Sequence, residues 1–158
     1  MDASSRDPLQ IRPIDADDAE AAAALSGELG YPVSAVDMRT RLASLLAMPD
    51  HGVFVACREG AVLGWIHVAA VQHLQSDPRA EIGGLVVTAS ARSQRVGARL
   101  VAAAEQWARD RGFATIVVRS QIMRDDAHRF YLREGYERTK TSAVFTKSVV
   151  AGADAEGA

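Results

Sequence analysis

Apolar and polar positions alternate at Leu9-Gln10-Ile11-Arg12, the period of a strand with one buried face. Asp15-Ala16-Asp17-Asp18 then has the form of a helix start. Asp15 offers an acceptor to unpaired N–H groups, and the acids after it suit the positive helix end. This helix should run through the alanines to about Leu29 and stop at Gly30-Tyr31-Pro32, because Pro32 disfavours a helical Tyr31. A second helix is predicted over 34–47, with Val36, Leu42, Leu45 and Leu46 on a mostly one-sided stripe. After a turn at 49–52, Val53–Cys57 reads as a buried strand, and Glu59-Gly60 turns it into a hairpin partner over 62–71. A polar loop at 75–79 leads into a strand over 81–87.

Beyond that strand a loop feeds a helix ending near Arg111, whose Val96, Leu100, Ala104, Trp107 and Ala108 share one face. Gly112 ends it, and 113–118 is a short apolar strand. A helix over 126–134 should close at Gly135, where a left-handed residue is expected, with final strands at 136–140 and 143–149. This order mixes hairpins with one strand–helix–strand crossover. It implies an α/β (α+β) fold, a mixed sheet with helices on both faces. The reading gives one domain over 8–150 between disordered ends, 1–7 and 151–158, which carry little to bury.

Composition narrows the class. With 48% hydrophobic and 24% charged residues the chain has the material for one core. A formal net charge of -2 argues against nucleic acid or an anionic membrane held by bulk charge. Cys57 is the single cysteine, so no intramolecular disulfide is expected, and in an apolar strand it reads as core. No signal peptide or membrane span is read, which makes the cytoplasm the default location. No HExxH or cysteine–histidine spacing suggests a metal. Trp65 and His67 share a strand face that could line an acceptor pocket, although the histidine reads first as hydrogen-bonded and structural.

The chemistry concentrates after the strand Glu81-Ile-Gly-Gly-Leu-Val-Val87, where Thr88–Ala91 leads into Arg92-Ser93-Gln94-Arg95-Val96-Gly97-Ala98-Arg99. Strand, polar loop and a basic helix start form a phosphate-binding design. The first helical N–H groups lack internal partners, the helix dipole adds positive potential, and Gly97 permits close approach. It is neither a P-loop nor GxGxxG.

Here the chain resembles the GCN5-related N-acetyltransferase (GNAT) superfamily. Its acyl-CoA signature is Arg/Gln-x-x-Gly-x-Gly/Ala, and Arg92, Gly97 and Leu100 match in register after Val87, while Arg95 stands at the first glycine. A second block, Ala127-His128-Arg129-Phe130-Tyr131-Leu132-Arg133-Glu134-Gly135-Tyr136, is similar to the family's Ala-x-x-Phe-Tyr-x-x-x-Gly-Phe ending. The resemblance implies a mostly antiparallel sheet, acetyl-CoA as co-substrate and a primary amine as acceptor, whether a small amine, an aminoglycoside-like compound or a protein or peptide amine. It implies that the backbone of Leu85, Val86 and Val87 binds pantetheine, with a bulge at Gly83-Gly84. The pyrophosphate would rest on Arg92, Ser93, Gln94, Arg95, Val96, Gly97 and Ala98. Arg124 replaces the usual asparagine contact. Tyr131 would protonate the departing thiolate, and Glu81, placed as in the histone-acetylating branch, would take the amine proton directly or through water. A homodimer is also implied. The alternatives are a catalytically silent acyl-CoA-binding module and a non-CoA interaction domain.

Overall fold

The computed structural model describes residues 8–92, 94–119 and 125–150. The expectations for both chain ends, for Ser93 and for Arg124 lie outside them. The chain divides into two compact units, Met1–Arg119 and Ser120–Ala158.

The first unit runs β1 (Gln10–Pro13), a 3-10 turn (Ala16–Asp18), α1 (Ala19–Glu28), α2 (Ala35–Leu46), β2 (His51–Arg58), β3 (Ala61–His73), β4 (Ser76–Val87), α3 (Val96–Asp110) and β5 (Ile116–Val118). The strands form one sheet in the order β1-β2-β3-β4-β5, antiparallel as far as β4, with β5 parallel to β4. Asp15 caps as the sequence suggests: its carboxylate accepts from Asp17 N–H, and its own N–H donates to Asp18. Asp18 is buried and receives both ends of the Arg12 guanidinium at 2.8 and 2.9 Å. That hydrogen bonding holds its carboxyl below the usual carboxylate range, against the opposing effect of burial. Ser34 caps α2 through Asp37 N–H at 3.0 Å.

Strand alternation divides the sheet into two faces. One carries Val53 and Val55 with Trp65 and is covered by Ile14, Ala19, Ala22, Leu42, Met38 and Leu45 from α1, α2 and the chain before them. The other, with Ile66 and Val68 fully buried, takes α3 through Val96, Leu100, Val101 and Ala104. Two glycines admit this helix: a Cβ on Gly52 would lie 2.6 Å from Trp107 Nε1, and one on Gly64 3.1 Å from Leu100 Cδ1.

Three expectations change. The loop expected at 75–79 shrinks to a tight turn at Leu74-Gln75, and β4 begins at Ser76. Pro78 is tolerated there because β4 gains its β5 partner only at Ala80, so the earlier residues form an edge. The strand expected over 113–118 keeps only Ile116–Val118. Phe113 instead closes α3, its N–H donating to Ala108 and its ring stacked on Trp107 after Gly112 turns left-handed.

The second unit contains α4 (Asp125–Arg133), which closes at Gly135 with φ 93°. The strands expected at 136–140 and 143–149 are not formed among the described residues, and Val144, Phe145 and Val149 are exposed. Alternation is a local property, whereas a strand also needs a partner for its N–H and C=O groups.

Candidate active site

The site is built on β4. Its register passes from Val68 opposite Ile82 to His67 opposite Gly84, which leaves Gly83 as the extra residue of a bulge. β5 pairs only with Ala80–Ile82. From Gly83 to Val87, the edge of β4 on that side has no strand partner among the described residues. Leu85, Val86 and Val87 therefore offer main-chain groups to an extended ligand, as an exposed sheet edge does.

That edge leads into a positive turn. Thr88 and a 3-10 turn at Ala89–Ala91 precede α3. The first internal helical bond runs from Arg99 N–H to Arg95 C=O, so the N–H groups of Val96, Gly97 and Ala98 must be satisfied from outside the helix. The N-cap residue, Arg95, gives them no side-chain hydrogen bond. It has φ 63°, the left-handed region that favours glycine. Arg92 Nε donates to Val87 C=O at 3.5 Å, and Arg99 reaches Leu9 C=O at 3.3 Å. Gln94 accepts from Arg58, a cation at the end of β2 that the linear pattern did not single out. Only pairing β2 within the sheet delivers Arg58 to this turn. Glu28, also missed, accepts from Thr88 Oγ1 at 3.1 Å and Ala89 N–H at 3.3 Å, tying the end of α1 to the end of β4.

A second group of polar side chains occupies the sheet face shared with α1 and α2. Glu81 lies opposite Ala69, and its Oε1 accepts from Arg119 Nε at 3.1 Å, just past β5. Arg79, two residues earlier and on the same face, has a buried Nε without a hydrogen-bond partner among the described residues. Trp65 lies against Gly84, where a Cβ would be 2.9 Å from the indole, and its buried Nε1 also lacks a partner. His67 Nε2 is 2.9 Å from His51 Nδ1. Burial, with His51 beside it, pushes the His67 imidazole below its ordinary value. The structural role expected for His67 thus has a definite partner, which the sequence separates by sixteen positions. Cys57 is buried, as a core residue would be.

A model of the acetyltransferase (GNAT) family matches residues 19–136. The chain belongs to this family. A curated relative, the aminoalkylphosphonate N-acetyltransferase of Salmonella typhimurium, is 37% identical over 126 residues, covering 79% of this chain and 78% of the relative. A type 1 aminoglycoside N(6')-acetyltransferase of Serratia marcescens is 29% identical over 140 residues, 85% of this chain and 96% of its own. The fold is shared with a solved aminoglycoside N-acetyltransferase in complex with CoA, at TM-score 0.80 and 19% identity, covering 89% and 95% of the two chains. This GNAT protein is an N-acetyltransferase that uses acetyl-CoA as co-substrate and an amine as acceptor.

In GNAT terms, Arg95 stands where the signature has a glycine, and its φ of 63° lies in the region that favours glycine. Tyr131, on α4 of the second unit, has its ring edge-on to those of Phe130 and Tyr136, at centroid distances of 5.1 and 5.7 Å. Among the described residues no helix is long and apolar enough to cross a membrane.

Proposed function

We propose that this protein acetylates a small primary amine by direct transfer within a ternary complex, with a short aminoalkylphosphonate-like acceptor as the leading class. The observation that carries the reading is the edge of β4 beyond the bulge at Gly83, which has no β5 partner among the described residues and leads straight to the start of α3. Pantetheine would lie along Leu85, Val86 and Val87, and the pyrophosphate would meet the N–H groups of Val96, Gly97 and Ala98 among Arg58, Arg92, Arg95 and Arg99. Ser93 and Arg124 belong to the same proposal through their places in the family pattern. A backbone N–H near Leu85 stabilises the tetrahedral oxyanion, Glu81 draws the acceptor's proton directly or through a water, and Tyr131 returns a proton to sulfur. Holding thioester and amine together supplies much of the rate.

For the acceptor, Arg79 and Arg119 flank Glu81, and an amine that also carries an anionic group complements that alternation of charge. The Salmonella relative's named substrate class supports this choice. A second reading, an aminoglycoside acceptor, is favoured by the Serratia relative. The proposal keeps a cytoplasmic location and, from the family resemblance, a homodimer, whose mass light scattering of the purified protein would test.

Thiol release from acetyl-CoA with a short aminoalkylphosphonate, an aminoglycoside, a polyamine and a lysine peptide decides among these. Fastest turnover with the phosphonate, and a raised KM for it alone in Arg79→Gln, is the expected result. No release with any amine, despite tight acetyl-CoA binding, would leave a silent acyl-CoA-binding module.

A further inference from the structure

Beside the opening of β4 stands a pair of imidazoles to which the reaction above gives no task. His67 projects from β3 opposite Gly84, and the position of Gly83 explains its exposure to the bulge: a Cβ there would lie 3.2 Å from His67 Nδ1. With glycine at the extra position, Nδ1 faces the bulge, one residue beyond the last β5 pair at Ile82. The other ring nitrogen, Nε2, is hydrogen-bonded to His51 Nδ1 at 2.9 Å, and both residues are half-buried. Glu81 stands on the same face, opposite Ala69, one same-side step along β3 from His67. Such diagonal neighbours lie about 7–8 Å apart, within reach of long side chains extended toward each other.

We propose that His67 and His51 form a proton relay that carries the acceptor amine's proton from the β4 bulge to solvent. This rests on the transfer reading above. The amine N–H bond breaks and its proton passes, by way of Glu81 or its water, to His67 Nδ1, forming an N–H bond there. The proton already on His67 Nε2 moves to His51 Nδ1, and His51 gives its Nε2 proton to water. One proton enters, one leaves, and exchange with solvent restores both tautomers.

Burial and the neighbouring imidazole both hold His67 neutral, ready to accept, down to lower pH than a free histidine. The charged groups on the surrounding elements are Glu81 and Arg79 on β4, Arg119 beyond β5 and Asp50 before β2. On α1 and the turn before it, Asp18 is bound to Arg12, Glu28 to Thr88, and Glu20 is exposed; on α2, Asp37, Arg39 and Arg41 are exposed.

The test compares wild type, His67→Gln and His51→Ala by kcat against pH with a saturating amine and by acetyl-CoA affinity, with far-UV circular dichroism to confirm folding. His67→Gln should lower kcat by about 100-fold, with unchanged acetyl-CoA affinity and loss of the acid-side fall in rate. His51→Ala should lose less, and added imidazole should restore it by filling the vacated place. His51→Asn replaces His51→Ala if the latter does not fold, and its folded protein should show the same loss relative to wild type. Folded variants with wild-type kcat and pH profiles, or loss in His51→Ala that imidazole does not relieve, would overturn the relay alone. A wild-type protein that releases no thiol with any amine would instead overturn the transfer reading on which it rests.

Discussion

At Asp18 a single carboxylate performs three tasks: it accepts both Arg12 nitrogens, accepts Asp15 N–H, and sits 6% exposed beneath the start of α1. Removing it strips the partly buried Arg12 guanidinium of its two-point partner, leaving it only Pro13 C=O and the more distant Asp15 carboxylate, and leaves the Asp15 N–H without its acceptor. Asp18→Ala should therefore cost about 3 kcal/mol at neutral pH, the low end for a buried pair because the Arg12 side chain is 38% exposed. The folded pKa of Asp18 lies below its unfolded value. The contribution is thus complete above the ordinary carboxylate value, about pH 4, and is lost as pH falls through the folded value. Urea midpoints of wild type and variant should converge on acidification. A constant gap would remove the ion pair as the cause. Tyr131 belongs to the same scale. If its hydroxyl protonates the thiolate, Tyr131→Phe should lower kcat by about 100-fold while acetyl-CoA affinity holds. An unchanged rate would assign the ring to packing against Phe130 and Tyr136 alone.

Among elements, the start of α3 shows the clearest conflict between local preference and use. A non-glycine residue in the left-handed region costs about 1–2 kcal/mol, and Arg95 sits there at φ 63° without a capping side chain. Arg95→Gly relieves that cost, although glycine's greater freedom in the unfolded chain takes back about half. A net stabilisation of about 0.5–1 kcal/mol should appear in thermal unfolding. Acetyl-CoA binding should be weakened only by the loss of one cation, and so less at high salt than at low. A destabilised Arg95→Gly protein would mean that the arginine side chain holds the turn by contacts of its own. The bulge of β4 is the companion device, since the extra Gly83 shifts the register against β3 and leaves room for His67.

For the molecule as a whole, an acyl donor that joins the β4 edge to the α3 start should bind only the folded state. At a concentration one hundred times its Kd, acetyl-CoA should add about 2.7 kcal/mol, which for a domain of this size raises Tm by about 5–10 °C. The shift should shrink as salt screens Arg58, Arg92, Arg95 and Arg99. Differential scanning fluorimetry measures it directly, and no shift at saturating donor would move the binding site away from this turn.

The linear pattern was sufficient for the features set by neighbours in the chain. It located the cap at Asp15, the amphipathic α3, the glycine turn after α4 and the basic start of a helix after an apolar strand, because each rests on local dihedrals or on a helical or strand period, while the bulge at Gly83-Gly84 followed from the family resemblance. Tertiary structure alone decided what depends on register between strands and on which edge finds a partner. Arg58 reaches Gln94 across 36 positions, Glu28 reaches Thr88 across 60, Arg119 reaches Glu81 across 38, and two histidines on adjacent strands meet at 2.9 Å. For the same reason the alternation over 143–149 did not yield a strand: a period specifies which side chains share a face, while pairing is settled only by what lies alongside.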